Sequence, residues 1–194
     1  RITSIGSTMQ ITSAMKMVSA AKLKRAQDAI EQMRPFSSKL QDIIANVSAT
    51  LDSTEGPYSQ EREVKNLLIV PVTANRGLCG GFNSGIIKEV NTIIEENKGA
   101  NVSLFTIGKK SVAAFKKTGK VTGEDIEIWN DLTFANASDI GDQLMAEYLE
   151  GKWDKIILVY NRFKNAATQL VTAEQFLPIS ASDESTSDSK STGD

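Results

Sequence analysis

A glycine-rich cluster, Arg76 to Asn83, is the part of this sequence that comes nearest in composition to a ligand-binding motif. It follows an apolar run and precedes a helical pattern, where phosphate loops occur because glycine backbone can approach an anion. The order of residues is wrong, however, for both a P-loop and a dinucleotide-binding loop. We therefore interpret its glycines as a tight strand-to-helix turn with close packing: Gly77, Gly80 and Gly81.

Other reactive residue types are not arranged for catalysis. The chain has no histidine, which excludes a histidine general base and makes a zinc site unattainable. Its single cysteine, Cys79, excludes an internal disulfide, and we expect it to be a small buried residue rather than a reactive thiolate. The segment 108–111 (GKKS) lacks the earlier glycine of a Walker loop. The sequence predicts no catalytic residue, no metal site and no cofactor.

The elements that would position these residues alternate between strands and helices. Apolar runs predict strands over 65–73, 102–107, 155–160 and 169–177, and helical spacing predicts helices over 82–97, 109–117 and 137–150. This alternation predicts a Rossmann-like layered α/β domain over residues 64–178, with a mostly parallel sheet closed by an antiparallel hairpin. Residues 179–194, rich in Ser and Asp, are predicted to be a disordered tail.

Residues 1–54 follow a different pattern, that of a long coiled-coil helix. From Ile2 to Leu51, eleven of fifteen heptad a and d positions are apolar. Such a helix would be ~75 Å long at ~1.5 Å per residue, so we expect it to project from a domain of this size. Pro35 should kink the helix without necessarily ending it. An apolar seam is not stable in water alone, so a second helix is required.

The charge distribution is asymmetric along the chain. Residues 1–25 carry five basic side chains and no acidic one, whereas the formal charge of the whole chain is −2. A basic arm could bind nucleic acid, but the basic turn is interleaved with seam residues and lacks stacking aromatics, so a protein partner with acidic loops fits better. No run approaches the ~20 apolar residues of a membrane span. We predict no nucleic acid binding and no direct membrane insertion.

Three motifs together resemble a known family, the gamma subunit of the rotary ATP synthase. Residues 8–23 (TMQITSAMKMVSAAKL) are similar to its N-terminal shaft motif, residues 34–36 (RPF) to its mid-helix proline, and residues 76–83 (RGLCGGFN) to its glycine signature. Asn75 departs from the pattern, since the family usually has an acidic residue there. The family also continues into a closing helix where this sequence stops, so we expect a piece that lacks that helix.

The resemblance implies a non-catalytic central rotor shaft, paired with a second terminal helix inside a ring of alpha and beta subunits. It also implies contact of the base domain with the epsilon subunit and the membrane ring of c subunits, on the cytoplasmic face of the bacterial plasma membrane or the organellar equivalent. The motif match assigns a set of residues to contact with beta-subunit loops, which Arg25 joins on the basic turn: Met15, Lys16, Met17, Lys22 and Arg25. Two alternatives are a dimerising coiled-coil adaptor with an α/β domain and a small nucleotide-binding enzyme.

Overall fold

The structure, a computed structural model, describes residues 1–50, 56–165 and 167–179. The chain divides into two compact units, with the division after Thr50. The first unit is one helix, α1 (Ile2–Thr50), which continues through Pro35. Its threonine hydroxyls bond to the helix itself, since Thr8 donates to the carbonyl of Ser4 and Thr12 to that of Thr8. The predicted long N-terminal helix is confirmed; its predicted end at residue 54 lies outside the described residues.

The second unit, here called the α/β domain, contains five strands and three α-helices within its described residues. They are β1 (Asn66–Pro71), α2 (Phe82–Glu96), β2 (Asn101–Ile107), α3 (Lys109–Phe115), β3 (Val121–Asp125), α4 (Phe134–Leu149), β4 (Lys155–Asn165) and β5 (Thr168–Leu177). The strand order is β3-β2-β1-β4-β5, and only β5 runs antiparallel to its neighbour. This confirms the predicted layered α/β fold with a mostly parallel sheet and a closing hairpin.

Helices cover both faces of this sheet, which explains why its central strand is apolar throughout. Alternate residues of β1 face opposite sides of a sheet. On one side the strand packs with α2 and α3, whose buried members are Ile86, Val90, Ile93 and Phe115. On the other side it packs with α4, through Leu144 and Tyr148. A strand covered on both faces reads as a continuous hydrophobic run rather than an alternating one.

One strand, β3, was not predicted, because its segment contains Gly123 and a short, polar pattern. It pairs in parallel with β2, and a Cβ at Gly123 would lie 2.6 Å from Cδ2 of Phe105. The glycine therefore makes room for an aromatic ring on the neighbouring strand. That reason is tertiary and leaves no periodicity in the sequence.

The chain enters and leaves the α/β domain side by side. The amide of Ile179, just after β5, donates to the carbonyl of Tyr58, ahead of β1, at 2.8 Å. Both side chains are partly buried against the core cluster on the α4 side of the sheet. The predicted tail, residues 179–194, lies outside the described residues except for Ile179, so its disorder remains a prediction.

Candidate functional site

The helix α1 exposes most of its apolar side chains. Ile5 and Met9 are 69% and 68% exposed, and the later seam residues Leu23, Leu40 and Ile44 are between 43% and 48% exposed. Apolar side chains on β1 are at most 1% exposed. Burial of a single aliphatic side chain contributes ~1.5–3 kcal/mol. Covering the exposed apolar side chains of α1 with a partner would therefore give a large favourable free energy of association.

The five residues assigned to partner contact are all exposed on α1, but the helix does not bring them onto one face. Since an α-helix turns by about 100° per residue, Met15, Lys22 and Arg25 share one strip. Lys16 lies on the seam side, and Met17 lies on a third side. A single flat surface therefore cannot touch all five, and a partner that contacts them has to surround the helix. Their assignment to partner contact remains a proposal.

The glycine cluster lies where three strand ends meet, and Asn75 ties those ends together. Its side-chain nitrogen donates to the carbonyl of Ile126, after β3, at 2.7 Å. Its side-chain oxygen accepts from the amide of Lys109, at the start of α3, at 2.9 Å. An aspartate could accept the second hydrogen bond but, when ionised, could not donate the first. The amide at this position is therefore explained by the two bonds it makes.

A second asparagine, Asn83, closes the loop from the other side. Its oxygen accepts from the amide of Ala74 at 2.9 Å, and its nitrogen donates to the carbonyl of Arg76 at 3.2 Å and contacts Sγ of Cys79 at 3.0 Å. At the tip, Leu78 is fully exposed and has a φ of 60°, a left-handed conformation that is unfavourable for leucine. The loop is thus held rigidly by its ends and presents a strained apolar side chain.

Two sequence expectations about this loop need correction. Cys79 is exposed rather than buried, because it lies on the outward part of the loop. Close packing was expected at all three glycines, but a Cβ at Gly80 or Gly81 would meet nothing within 4 Å. Only at Gly77 would it meet a neighbour, Nζ of Lys110 at 3.4 Å. Gly80 has a φ of 58°, which suits glycine in a turn.

The described groups with perturbed pKa values serve structural hydrogen bonds. Burial raises the pKa of Tyr160 to about 12, with a further contribution from the hydrogen bond and charge of Glu174. The phenol accordingly stays protonated and donates to that carboxylate at 2.6 Å, across the β4–β5 hairpin. Among the described residues, no group of three or more Cys, Asp or Glu side chains is arranged to hold a metal ion.

Comparisons with known proteins agree with the family resemblance seen in the sequence. A family model described as ATP synthase matches residues 1–194. The chain belongs to this family. The ATP synthase gamma chain of Flavobacterium johnsoniae is 55% identical over 180 residues, and that of Christiangramia forsetii is 55% identical over 181 residues. Each match covers 92% of this chain and 63% of the relative, so the chain spans less than two thirds of their length. The resemblance to the gamma subunit is confirmed.

A solved structure extends the comparison to the fold. The match is with a chain in the central stalk and c-ring of the Tetrahymena thermophila mitochondrial ATP synthase, with a TM-score of 0.69 and 29% identity. It covers 87% of this chain and 72% of that chain. None of the helices that the structure describes here has the length and hydropathy of a membrane span.

Proposed function

We propose that this chain forms one half of the central rotor shaft, together with the base domain, of a proton-translocating ATP synthase. It is a non-catalytic subunit that couples rotation of the c ring to conformational change in the catalytic beta subunits, during synthesis or hydrolysis. The observation that carries the proposal is the exposure of apolar side chains on more than one side of α1. The names of the relatives and of the structural neighbour support the same role.

The exposed seam supports pairing with a second helix. A helix of 49 residues that exposes its apolar seam gains little stability from its own sequence. The matched relatives are longer than this chain, and the chain leaves the α/β domain beside its point of entry. A helix that follows in the full-length parent would therefore start from the side of the α/β domain at which the chain enters it.

The remaining sides of α1 support an enclosing partner. Met15 and Met17 are 66% and 69% exposed on different sides of the helix, and residues 1–25 carry no acidic side chain. A ring of alternating alpha and beta subunits with acidic loops matches both features. As the shaft turns, each beta subunit meets a different face, and each face stabilises one conformation over the others.

The base domain completes the proposed assembly. We infer that it contacts the epsilon subunit and the c ring, and that the complex holds the chain at the cytoplasmic face of a bacterial plasma membrane or at the equivalent organellar membrane. The structural neighbour belongs to a central stalk that was solved together with a c-ring, which supports this placement.

The test uses Met15→Lys in the full-length parent subunit, assembled with the other subunits in membrane vesicles. The new charge lies on the strip of α1 that also carries Lys22 and Arg25. Burying a charge there against a partner subunit is costly. We expect proton pumping per ATP hydrolysed to fall about tenfold, the effect of ~1.4 kcal/mol on one step. The matched control is Leu132→Lys, which changes a residue with similar exposure, 63%, on the α/β domain and should leave this ratio unchanged.

Two outcomes would contradict the proposal at different levels. Normal pumping by Met15→Lys would remove Met15 from the contact surface. Failure of the unmodified parent to assemble with alpha and beta subunits would contradict the rotor function itself. The alternatives have their own readouts: a concentration-dependent homodimer in sedimentation would favour the adaptor, and specific micromolar binding of ATP, ADP or NAD in calorimetry would favour a nucleotide-binding enzyme.

A further inference from the structure

The segment that leads into the α/β domain, residues 56–65 and here called the entry segment, is mostly exposed but is fastened at defined points. Its first fastening is the hydrogen bond from the amide of Ile179 to the carbonyl of Tyr58, at 2.8 Å. Its last is Asp154, whose Oδ2 accepts from the amides of Lys65 at 3.0 Å and Asn66 at 2.8 Å. Between these points, a further contact from the segment's middle limits its movement.

That contact is a clasp between Arg62 and Tyr148. The guanidinium carbon of Arg62 lies 4.8 Å from the centre of the Tyr148 ring, and its Nη1 donates to the Tyr148 carbonyl at 3.4 Å. In return, the Tyr148 hydroxyl donates to the carbonyl of Gln60 at 2.9 Å. Tyr148 is fully buried at the end of α4, whereas Gln60 and Glu61 are exposed. The clasp therefore joins an exposed segment to the rigid core of the domain.

The clasp divides the entry segment into pieces of a few residues each. A free chain behaves as a flexible linker whose reach grows with the square root of its length, so shortening the free pieces reduces slack. Gly151, with a φ of 76°, lies beside the guanidinium, and a Cβ there would be 3.8 Å from Nη1. That distance is an ordinary van der Waals contact, so the turn after α4 lies against the arginine without crowding it.

We propose that Arg62 is a positioning residue for rotary coupling: held on Tyr148, it fixes the entry segment to α4 so that torque passes between α1 and the α/β domain without slack. This inference rests on the proposed rotor function. The entry segment affects rotary coupling only if torque is transmitted through it. In the proposed shaft, torque would pass along the covalent chain from α1 into β1. Arg62 acts through Tyr148 and needs no contact with another subunit.

The experiment uses the full-length parent in an assembled, immobilised complex. The variant Arg62→Met keeps the apolar part of the side chain but removes the positive charge, whereas Arg62→Lys keeps a positive charge over the Tyr148 ring. The matched control is Arg162→Met, at an exposed arginine of β4. Torsional stiffness is read from the angular fluctuations of a probe on the base domain while the head is stalled. We expect Arg62→Met to widen the angular variance at least about twofold through the added slack. Arg62→Lys and Arg162→Met should match the unmodified protein.

A second measurement, of hydrogen exchange, tests the inference even if the change in torsional stiffness is too small to detect. Hydrogen exchange in the same complex should be about tenfold faster at the amides of Lys65 and Ile179 in Arg62→Met, because local opening is easier. The rate of ATP hydrolysis should stay within about twofold, since no catalytic group is touched. A merely structural role would instead alter assembly and hydrolysis together.

The outcomes distinguish a failure of this inference from a failure of the proposed function. Unchanged stiffness and exchange in Arg62→Met, in a complex whose unmodified form rotates, would overturn the inference. If Arg62→Met does not assemble, Tyr148→Phe replaces it, because this variant keeps the ring but loses the hydrogen bond to Gln60. We then expect faster hydrogen exchange over residues 60–65. Unchanged exchange in Tyr148→Phe would overturn the inference. A complex whose unmodified form does not rotate would contradict the proposed function instead.

Discussion

The helix α1 and the α/β domain use the same apolar residue types in opposite ways. On α1, Ile5 is 69% exposed and Met33 is 62% exposed, whereas Ile69 on β1 and Ile86 on α2 are completely buried. The domain therefore buries the apolar side chains of its central strand and of the helix packed on it, although it exposes others, such as Leu132 and Phe134. The helix α1 exposes most of its apolar side chains, so its sequence encodes an association rather than a core.

Polar side chains show the same contrast. In the domain, the buried hydroxyls of Thr73 and Ser111 bond to each other at 3.1 Å and to the carbonyl of Ile107, which joins two strand ends to α3. On α1, by comparison, Thr8 and Thr12 bond only to the preceding helical turn. Among the described residues, no buried side-chain nitrogen or oxygen lacks a partner. Mutations in the domain should consequently change stability, and mutations on α1 should change assembly.

The largest effect is expected at Gly108, where the backbone of the domain admits no side chain. Its φ is 91°, and a Cβ there would collide with the backbone oxygen of Thr73. We expect Gly108→Ala to lower the free energy of unfolding by ~4 kcal/mol or more, as measured by urea unfolding with the fluorescence of buried Trp153. The control is Gly119→Ala, at a φ of 69° with open space around it, which should cost only ~1 kcal/mol. Equal losses would show that the collision is relieved.

The same substitution made in both regions tests the comparison directly. Ile69→Ala removes a completely buried side chain and should lower the free energy of unfolding by ~3 kcal/mol. Ile5→Ala removes an exposed one from α1 and should change it by less than ~0.5 kcal/mol. Chemical unfolding of the purified chain, followed by circular dichroism, provides the measurement. A loss above ~1 kcal/mol for Ile5→Ala would mean that the side chain packs within the chain itself.

A smaller, pH-dependent effect is expected at Glu147 in the domain. Burial pushes the pKa of Glu147 upward, but hydrogen bonds from Trp153, Gln143 and Lys152 and the charge of Lys152 outweigh it, so the pKa lies below 4.5. Because the folded pKa is lowered, the stabilisation is present above pH 4.5 and is lost as the pH falls through the folded value. Glu147→Gln should therefore cost ~1 kcal/mol at neutral pH and less in acid. Equal costs at pH 7 and in acid would contradict this sign.

The smallest effect is expected at Leu78, an exposed apolar residue at the tip of the glycine-rich loop. Because its φ is 60°, Leu78→Asn should relieve left-handed strain and raise the free energy of unfolding by ~0.5 kcal/mol. Leu78→Ala keeps the Cβ and should be neutral. Midpoints of urea unfolding distinguish the two variants. If Ala stabilises as much as Asn, apolar exposure rather than backbone strain is the cause.

Much of the fold could be predicted from the sequence because its elements carry strong local patterns. The continuous apolar run of β1 and the helical spacing of α2 gave their positions to within a few residues. The strand β3 was missed because its Gly123 exists to fit the ring of Phe105, a reason that only the assembled sheet reveals. Long, periodic segments are predictable, and short strands that depend on a neighbour are not.

The candidate sites were predictable to a smaller extent. The residues of α1 that we propose to contact a partner came from the resemblance to a family motif, but their distribution around the helix follows only from helical geometry. The bonds of Asn75 could not be foreseen, since they link segments that are 34 and 51 residues apart in sequence. Those of Asn83 lie within one loop, but the direction of its side chain is set by the folded backbone. Arg62 gave no signal at all, because one arginine in a polar segment usually lies in solvent. Cys79 was wrongly expected to be buried, as residue type alone does not fix the direction of a loop.

The hydrogen bond between Ile179 and Tyr58 makes the α/β domain a cassette. Because its two ends lie 2.8 Å apart, measured from amide nitrogen to carbonyl oxygen, a foreign fold with adjacent termini can be grafted in its place without stretching the flanking chain. The α/β domain can thus be exchanged as one unit, with the flanking segments joined at the same two residues.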